Sequence, residues 1–135
     1  MSAIFSALGI AGSGLDAMQV WLNTSGGNVA NANDTAPTSK GTYAPETTVL
    51  TPSSGAPGSD GLGVSASVAL GSNAGQIVYD PSSPLADQKG NIRMTSVSLS
   101  HELVNLIQAQ EGYQADTSTL QKAIAAYQSG LTIGS

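Results

Sequence analysis

A chain of 135 residues is long enough for one domain, yet only 10% of it is charged, its net charge is −5 and its pI is near 4.3. Globular proteins carry roughly 25% charged residues, so a surface fully exposed to water is excluded and coverage by neighbours is implied. The four basic residues, Lys40, Lys89, Arg93 and Lys122, form no patch that neutralises phosphates, which excludes nucleic acid, and the absence of cysteine removes disulfide and thiolate chemistry.

The opening stretch, MSAIFSALGIAGSGLDAMQVWL, is apolar enough to suggest a leader or a membrane span. A secretory leader begins with positive charge, whereas the first basic residue here is Lys40. Asp16 and Gln19 count against a span. Alternating steps of four and three from Ile4 instead give Leu8, Ala11, Leu15, Met18, Leu22, Ser25, Val29 and Ala32, a heptad seam. Positions beside the seam hold Ala3, Ala7, Gly9, Ser13, Ala17 and Ala30, small residues that let backbones approach closely. The alternative, a core helix of a compact domain, suits the chain less well because residues 37–95 supply little bulk to surround it.

Gly9, Gly12, Gly14, Gly26 and Gly27 each weaken an exposed helix by roughly 1 kcal/mol relative to alanine. This segment is therefore expected to be disordered alone and to fold on assembly. The stretch LNTSGGNVANANDTAP, residues 22–37, continues the seam and breaks down over 33–37. Several chains are expected to crowd there, with Asn28 and Asn31 hydrogen-bonding across the contacts.

All six prolines lie between Pro37 and Pro84 and bound short strand-like pieces. Residues 62–70, LGVSASVAL, place Leu62, Val64, Ala66, Val68 and Leu70 on one face, the alternation of a strand with one buried side. TTVLT at 47–51, QIVY at 76–79 and NIRM at 91–94 are further strand candidates. The stretch 52–61 is loop-like, with Asp60-Gly61 as a turn pair.

Ser98 is placed to cap a second helix, with Glu102 in the first turns complementing its dipole. The same seam spacing from Leu99 selects Leu103, Leu106, Gln110, Tyr113, Thr117, Leu120, Ile124, Tyr127 and Leu131. A break near SGLTIGS gives this helix roughly 30 residues, about 45 Å. The fold class is α+β. Long N- and C-terminal helices, over 1–36 and 96–135, pair as an antiparallel coiled coil and are joined by a small Gly/Pro-rich β module over 37–95.

Residues that carry chemistry are missing from the pattern. The one histidine, His101, falls on the first turn of a helix without a positioned partner. No H-E-x-x-H, paired cysteine or carboxylate cluster suggests a metal. GIAGSG at 9–14 has neither a strand before it nor Lys-Ser/Thr after it, so it is part of the helical seam rather than a phosphate loop. The chain is expected to be no enzyme, to need no cofactor and to take no small-molecule substrate.

Two sets of residues resemble the bacterial flagellar axial proteins. Leu22, Ser25, Asn28, Ala30, Asn31 and Thr35 match, in order, the signature that follows the first helix of the basal-body rod family. The stretch YDPSSPLADQKGNIRMTSVSLSHELVNLIQAQEGYQAD is similar to the segment leading into the last helix of the family's short proximal-rod members. Tyr79, Asp80, Pro81, Pro84, Ala86, Asp87, Gly90, Glu102, Val104, Asn105, Tyr113, Gln114 and Ala115 carry that match. Gly26-Gly27, Val29, Asn91 and Thr95 depart from the pattern in ways that touch local packing. The likeness spans about residues 1–36 and 77–134.

The resemblance implies a structural subunit of the periplasmic rod, exported by the flagellar type III apparatus without a cleaved signal peptide. It further implies contacts with copies of itself, other rod proteins and rod–ring junction proteins. Another short axial protein of the rod is the alternative within this class. A small secreted β-rich binding module is the alternative outside it.

Overall fold

A computed structural model of the chain describes residues 2–54 and 61–133. Helix α1 spans Ser2–Ala30 and helix α2 spans Leu99–Ile133. Between them lie β1 (Thr35–Ala36), β2 (Glu46–Pro52), β3 (Val64–Leu70), β4 (Gln76–Tyr79) and β5 (Asn91–Met94). The architecture is α+β, two terminal helices with a small antiparallel β region between them.

The helices pack along each other in opposite directions. Phe5 meets Tyr127 edge to face with ring centroids 5.7 Å apart. Gly14 lies against Asp116, and Gly112 lies so close to Met18 that a Cβ there would stand 2.6 Å from its sulfur. Asn28 bonds Glu102. These partners march forward on α1 and backward on α2, so within a single chain α1 already has a helix to fold against, which the expectation of disorder outside an assembly left out of account. The α1 residues buried along the way are Ala11, Gly14, Ala17, Thr24, Ser25 and Asn28, and on α2 only Glu102 and Ala109 are buried. Small side chains at the contact bring the two backbones together, so the helices approach through alanine and glycine rather than through leucine.

The seam of greatest closeness thus differs from the strongest apolar spacing. Ala11, Met18 and Ser25 lie at or near it, whereas Leu8, Leu15, Leu22 and Val29 are half-buried, one residue further round α1. Helix α2 also runs on through Ser129 and Gly130 to Ile133, where a break was expected. One glycine costs a helix only about 1 kcal/mol, and the Thr132 hydroxyl donates back to the Ser129 carbonyl at 2.8 Å. At the other end α1 closes at Ala30, so Ala32 occupies the following turn, still buried.

Strands β2 and β3 form a hairpin with Glu46 opposite Leu70 and Pro52 opposite Val64. Gly63, at φ +103, closes it. The Ser13 hydroxyl accepts the Val64 N–H at 3.1 Å, and a side chain on Gly63 would collide with Ser13, so glycine is what lets the hairpin seat on α1. The hairpin is therefore fixed to α1 near its turn, and at its open end the Glu46 backbone bonds Asn28 of α1. The outer part of β3 is nevertheless left uncovered. Val64 and Ala66 are half-buried, but Leu62, Val68 and Leu70, expected on the same covered face, are exposed. Leu62 also precedes the strand rather than belonging to it. No further layer of the described residues covers them. The loop expected over 52–61, with its Asp60-Gly61 turn, falls largely on residues 55–60, outside the described residues.

Strands β4 and β5 occupy the expected segments and form a three-stranded sheet with β1, in the order β1-β5-β4. The two-residue strand β1, with Thr35 opposite Met94 and Ala36 opposite Arg93, has no counterpart in the sequence-based expectations. It ties the end of α1 to the strand that leads into α2.

Candidate functional site

The rod-signature residues converge where α1 ends and α2 begins. Ser25 and Asn28, three apart on α1, share one helix face and are 1% and 0% exposed. Asn28 uses all of its hydrogen-bonding capacity. Its amide donates to the Glu46 carbonyl at 2.7 Å and to Glu102 Oε1 at 3.0 Å. Its carbonyl oxygen accepts the Glu46 N–H at 2.8 Å and the Tyr43 hydroxyl at 3.0 Å. One side chain therefore clamps α1, the entry to β2 and the first turn of α2.

Glu102 is 8% exposed. Its second oxygen accepts the Asn105 amide at 3.3 Å, and its place in the first turn of α2 lets the helix dipole favour its charge. Its backbone N–H donates to the Ser98 carbonyl at 3.0 Å, while the Ser98 hydroxyl pairs with that of Ser100. Burial, followed by the negative charges of Glu46 and Glu102, pushes the Tyr43 phenol above its ordinary pKa. Tyr43 consequently stays protonated and keeps donating to Asn28.

A second layer fixes this junction to the sheet. Asp34 Oδ2 accepts the Thr42 hydroxyl at 2.8 Å and the Tyr43 N–H at 2.7 Å. The Thr95 N–H donates to the Asp34 carbonyl at 3.0 Å, and its hydroxyl donates to the Tyr43 carbonyl at 3.1 Å. Thr42 and Thr95 are themselves buried. Neither Asp34, Thr42, Tyr43 nor Thr95 was singled out as a junction residue from sequence. Asp-x-x-x-x-x-x-x-Thr-Tyr carries no recognisable spacing, because the bonds follow an irregular turn.

The other motif residues serve elsewhere. The Asn31 amide donates to the Gly27 carbonyl at 2.8 Å, closing the C-terminus of its own helix rather than crossing to another element. Ala30 is exposed, and Thr35 opens β1. Tyr79, Pro81 and Pro84 are exposed at the far end of the β4–β5 pairing, away from Asn28. There Asp87 accepts the N–H groups of Asn91 and Lys89, which lower its pKa, and also the Thr38 hydroxyl.

Of the residues placed on helix-packing seams, Ile4, Leu8, Leu15, Met18, Leu22, Val29, Leu106, Leu120 and Tyr127 are half-buried. Leu99, Leu103, Tyr113, Ile124 and Leu131 are exposed, at 40–50% of their accessible surface. His101 is exposed, and GIAGSG lies inside α1. Among the described residues no group of His, Asp or Glu converges as metal ligands would, and no helix is long and apolar enough to cross a membrane.

No protein-family model matches the chain. Among curated relatives, the flagellar basal-body rod protein FlgC of Escherichia coli is 33% identical over 133 residues, covering 98% of both chains. The flagellar basal-body rod proteins FlgC of Yersinia enterocolitica and Salmonella typhimurium are each 32% identical, with the same coverage. With identity at that level along nearly the whole of both lengths, the chain belongs to the FlgC family of flagellar basal-body rod proteins.

Proposed function

We propose that the chain is a non-enzymatic structural subunit of the flagellar proximal rod. It leaves the cell through the flagellar type III export apparatus without a cleaved signal peptide. In the rod it packs against copies of itself, other rod proteins and rod–ring junction proteins. Segments 1–36 and 96–135 act as paired assembly helices in a coiled coil, and 37–95 forms the β-rich part they carry.

The observation that carries this reading is the apolar side of α2 left open by the chain's own fold. Leu99, Leu103, Val104 and Ile107 are 48–57% exposed, while among the described residues the buried apolar side chains are five alanines and Ile92. Covering the remainder of such side chains is worth roughly 1 kcal/mol each, available only on assembly.

Deletion of the gene is expected to abolish basal bodies and swimming, restored by the wild-type gene but not by Ile107→Asp. Because Ile107 is exposed, that variant should leave the stability of the free chain within about 0.5 kcal/mol of wild type. Swimming deletion cells, or normal swimming with Ile107→Asp, would contradict the proposal.

A further inference from the structure

Beside the polar junction lies a cleft of about 190 Å³, walled by Trp21 of α1, Pro45, Glu46 and Thr48 of the β2 region, and His101 and Glu102 of α2. Its volume suits the head of one side chain, since a cavity of about 150 Å³ already holds a benzene molecule. Glu46 and Glu102 both line this space, and no lysine or arginine does. Glu102 is buried with only the neutral amides of Asn28 and Asn105 for partners, although buried carboxylates are normally paired with a cation. Among the described residues the Glu46 carboxylate has no hydrogen bond; only its backbone does.

A guanidinium satisfies all of these features together. It is planar and always charged, it stacks on an indole, and its fork of N–H donors matches a carboxylate. We propose that this cleft receives an arginine side chain of a neighbouring rod protein, stacked on Trp21 and paired with Glu46. The inference rests on the chain being a rod subunit. The arginine belongs to a different protein, because the chain's one arginine, Arg93, is held by the carbonyls of its own Ala74 and Thr38.

Trp21 is the only tryptophan, so its fluorescence reports on the cleft alone. Titrating the full chain with N-acetyl-arginine amide is expected to change Trp21 emission saturably, whereas the neutral isostere N-acetyl-citrulline amide should not. In Glu46→Gln, whose backbone bonds to Asn28 remain, the arginine analogue should bind about fivefold more weakly, with the thermal melt of the chain unchanged. An equal response to citrulline, undiminished binding by Glu46→Gln, or no saturable response to arginine overturns the proposal. So does a Trp21 change that tracks the chain's own concentration without any probe, which would put a second copy in the cleft. These outcomes are read on the free chain and leave the motility test of the rod assignment independent.

Discussion

Replacing Asn28 with alanine is expected to lower the free energy of unfolding by about 3 kcal/mol, measured as a fall in urea midpoint at unchanged slope. The side chain makes four hydrogen bonds in a site from which water is excluded. Its removal leaves the Glu46 N–H, the Tyr43 hydroxyl and one oxygen of a buried carboxylate without partners, and such orphaned groups cost more than the bonds were worth. Asn28→Asp should be at least as damaging, because it sets a second carboxylate against Glu102 and loses both donations. Adding Glu102→Gln to Asn28→Asp restores a donor and removes the repulsion, so the double variant should be more stable than Asn28→Asp alone. A change in midpoint corresponding to less than about 0.5 kcal/mol for Asn28→Ala would show that the junction is not what joins the two helices.

The second large effect lies at Ala109, which is 0% exposed on the face of α2 turned toward α1. Ala109→Leu forces the helices apart or into strained rotamers and should cost about 3 kcal/mol. Ala125, on the same helix but exposed, provides the control, since leucine there should change stability by no more than about 0.5 kcal/mol. The same pair separates two views of the helix contact. If the helices met through a leucine seam, an added leucine at 109 would be tolerated. Contact through small residues predicts that it is not.

That distinction shows what the sequence made legible and what it hid. Apolar spacing located both helices, and QIVY and NIRM became β4 and β5 at their own boundaries. Spacing did not settle which face of each helix turns inward. Leu8, Leu15 and Leu22 lie one step round from Ala7, Gly14 and Trp21, and the leucines dominate any count of hydrophobicity. Closeness is set instead by Gly14, Ala109 and Gly112, whose small size is silent in such a count. Exposed Leu99 and Leu103 fell on the helix-packing seam for the same reason, because apolar spacing does not distinguish a face packed within the chain from one left open.

The signature residues were legible as a set, but their joint purpose was not. Ser25, Asn28, Glu102 and Asn105 gather at one junction, where Asn28 bonds Glu102 across 74 positions of sequence. Nothing in their spacing revealed that Asn28 bonds Glu102 within the chain rather than a neighbouring subunit. The residues that complete the junction, Asp34, Thr42, Tyr43 and Thr95, sit in turns and at a strand end, where side-chain hydrogen bonds follow local backbone path rather than periodicity. Strand β1 escaped notice because two residues show no alternation.

The assignment to the rod is tested most directly by the protein content of purified basal bodies. Hook–basal-body complexes isolated from wild-type cells of the source bacterium and analysed by quantitative mass spectrometry are expected to contain this chain. It should remain after detergent and alkaline washing has removed soluble and loosely bound proteins, and it should be absent from the same preparation made from the deletion strain. Intact basal bodies from motile wild-type cells that contain none of it would contradict the account.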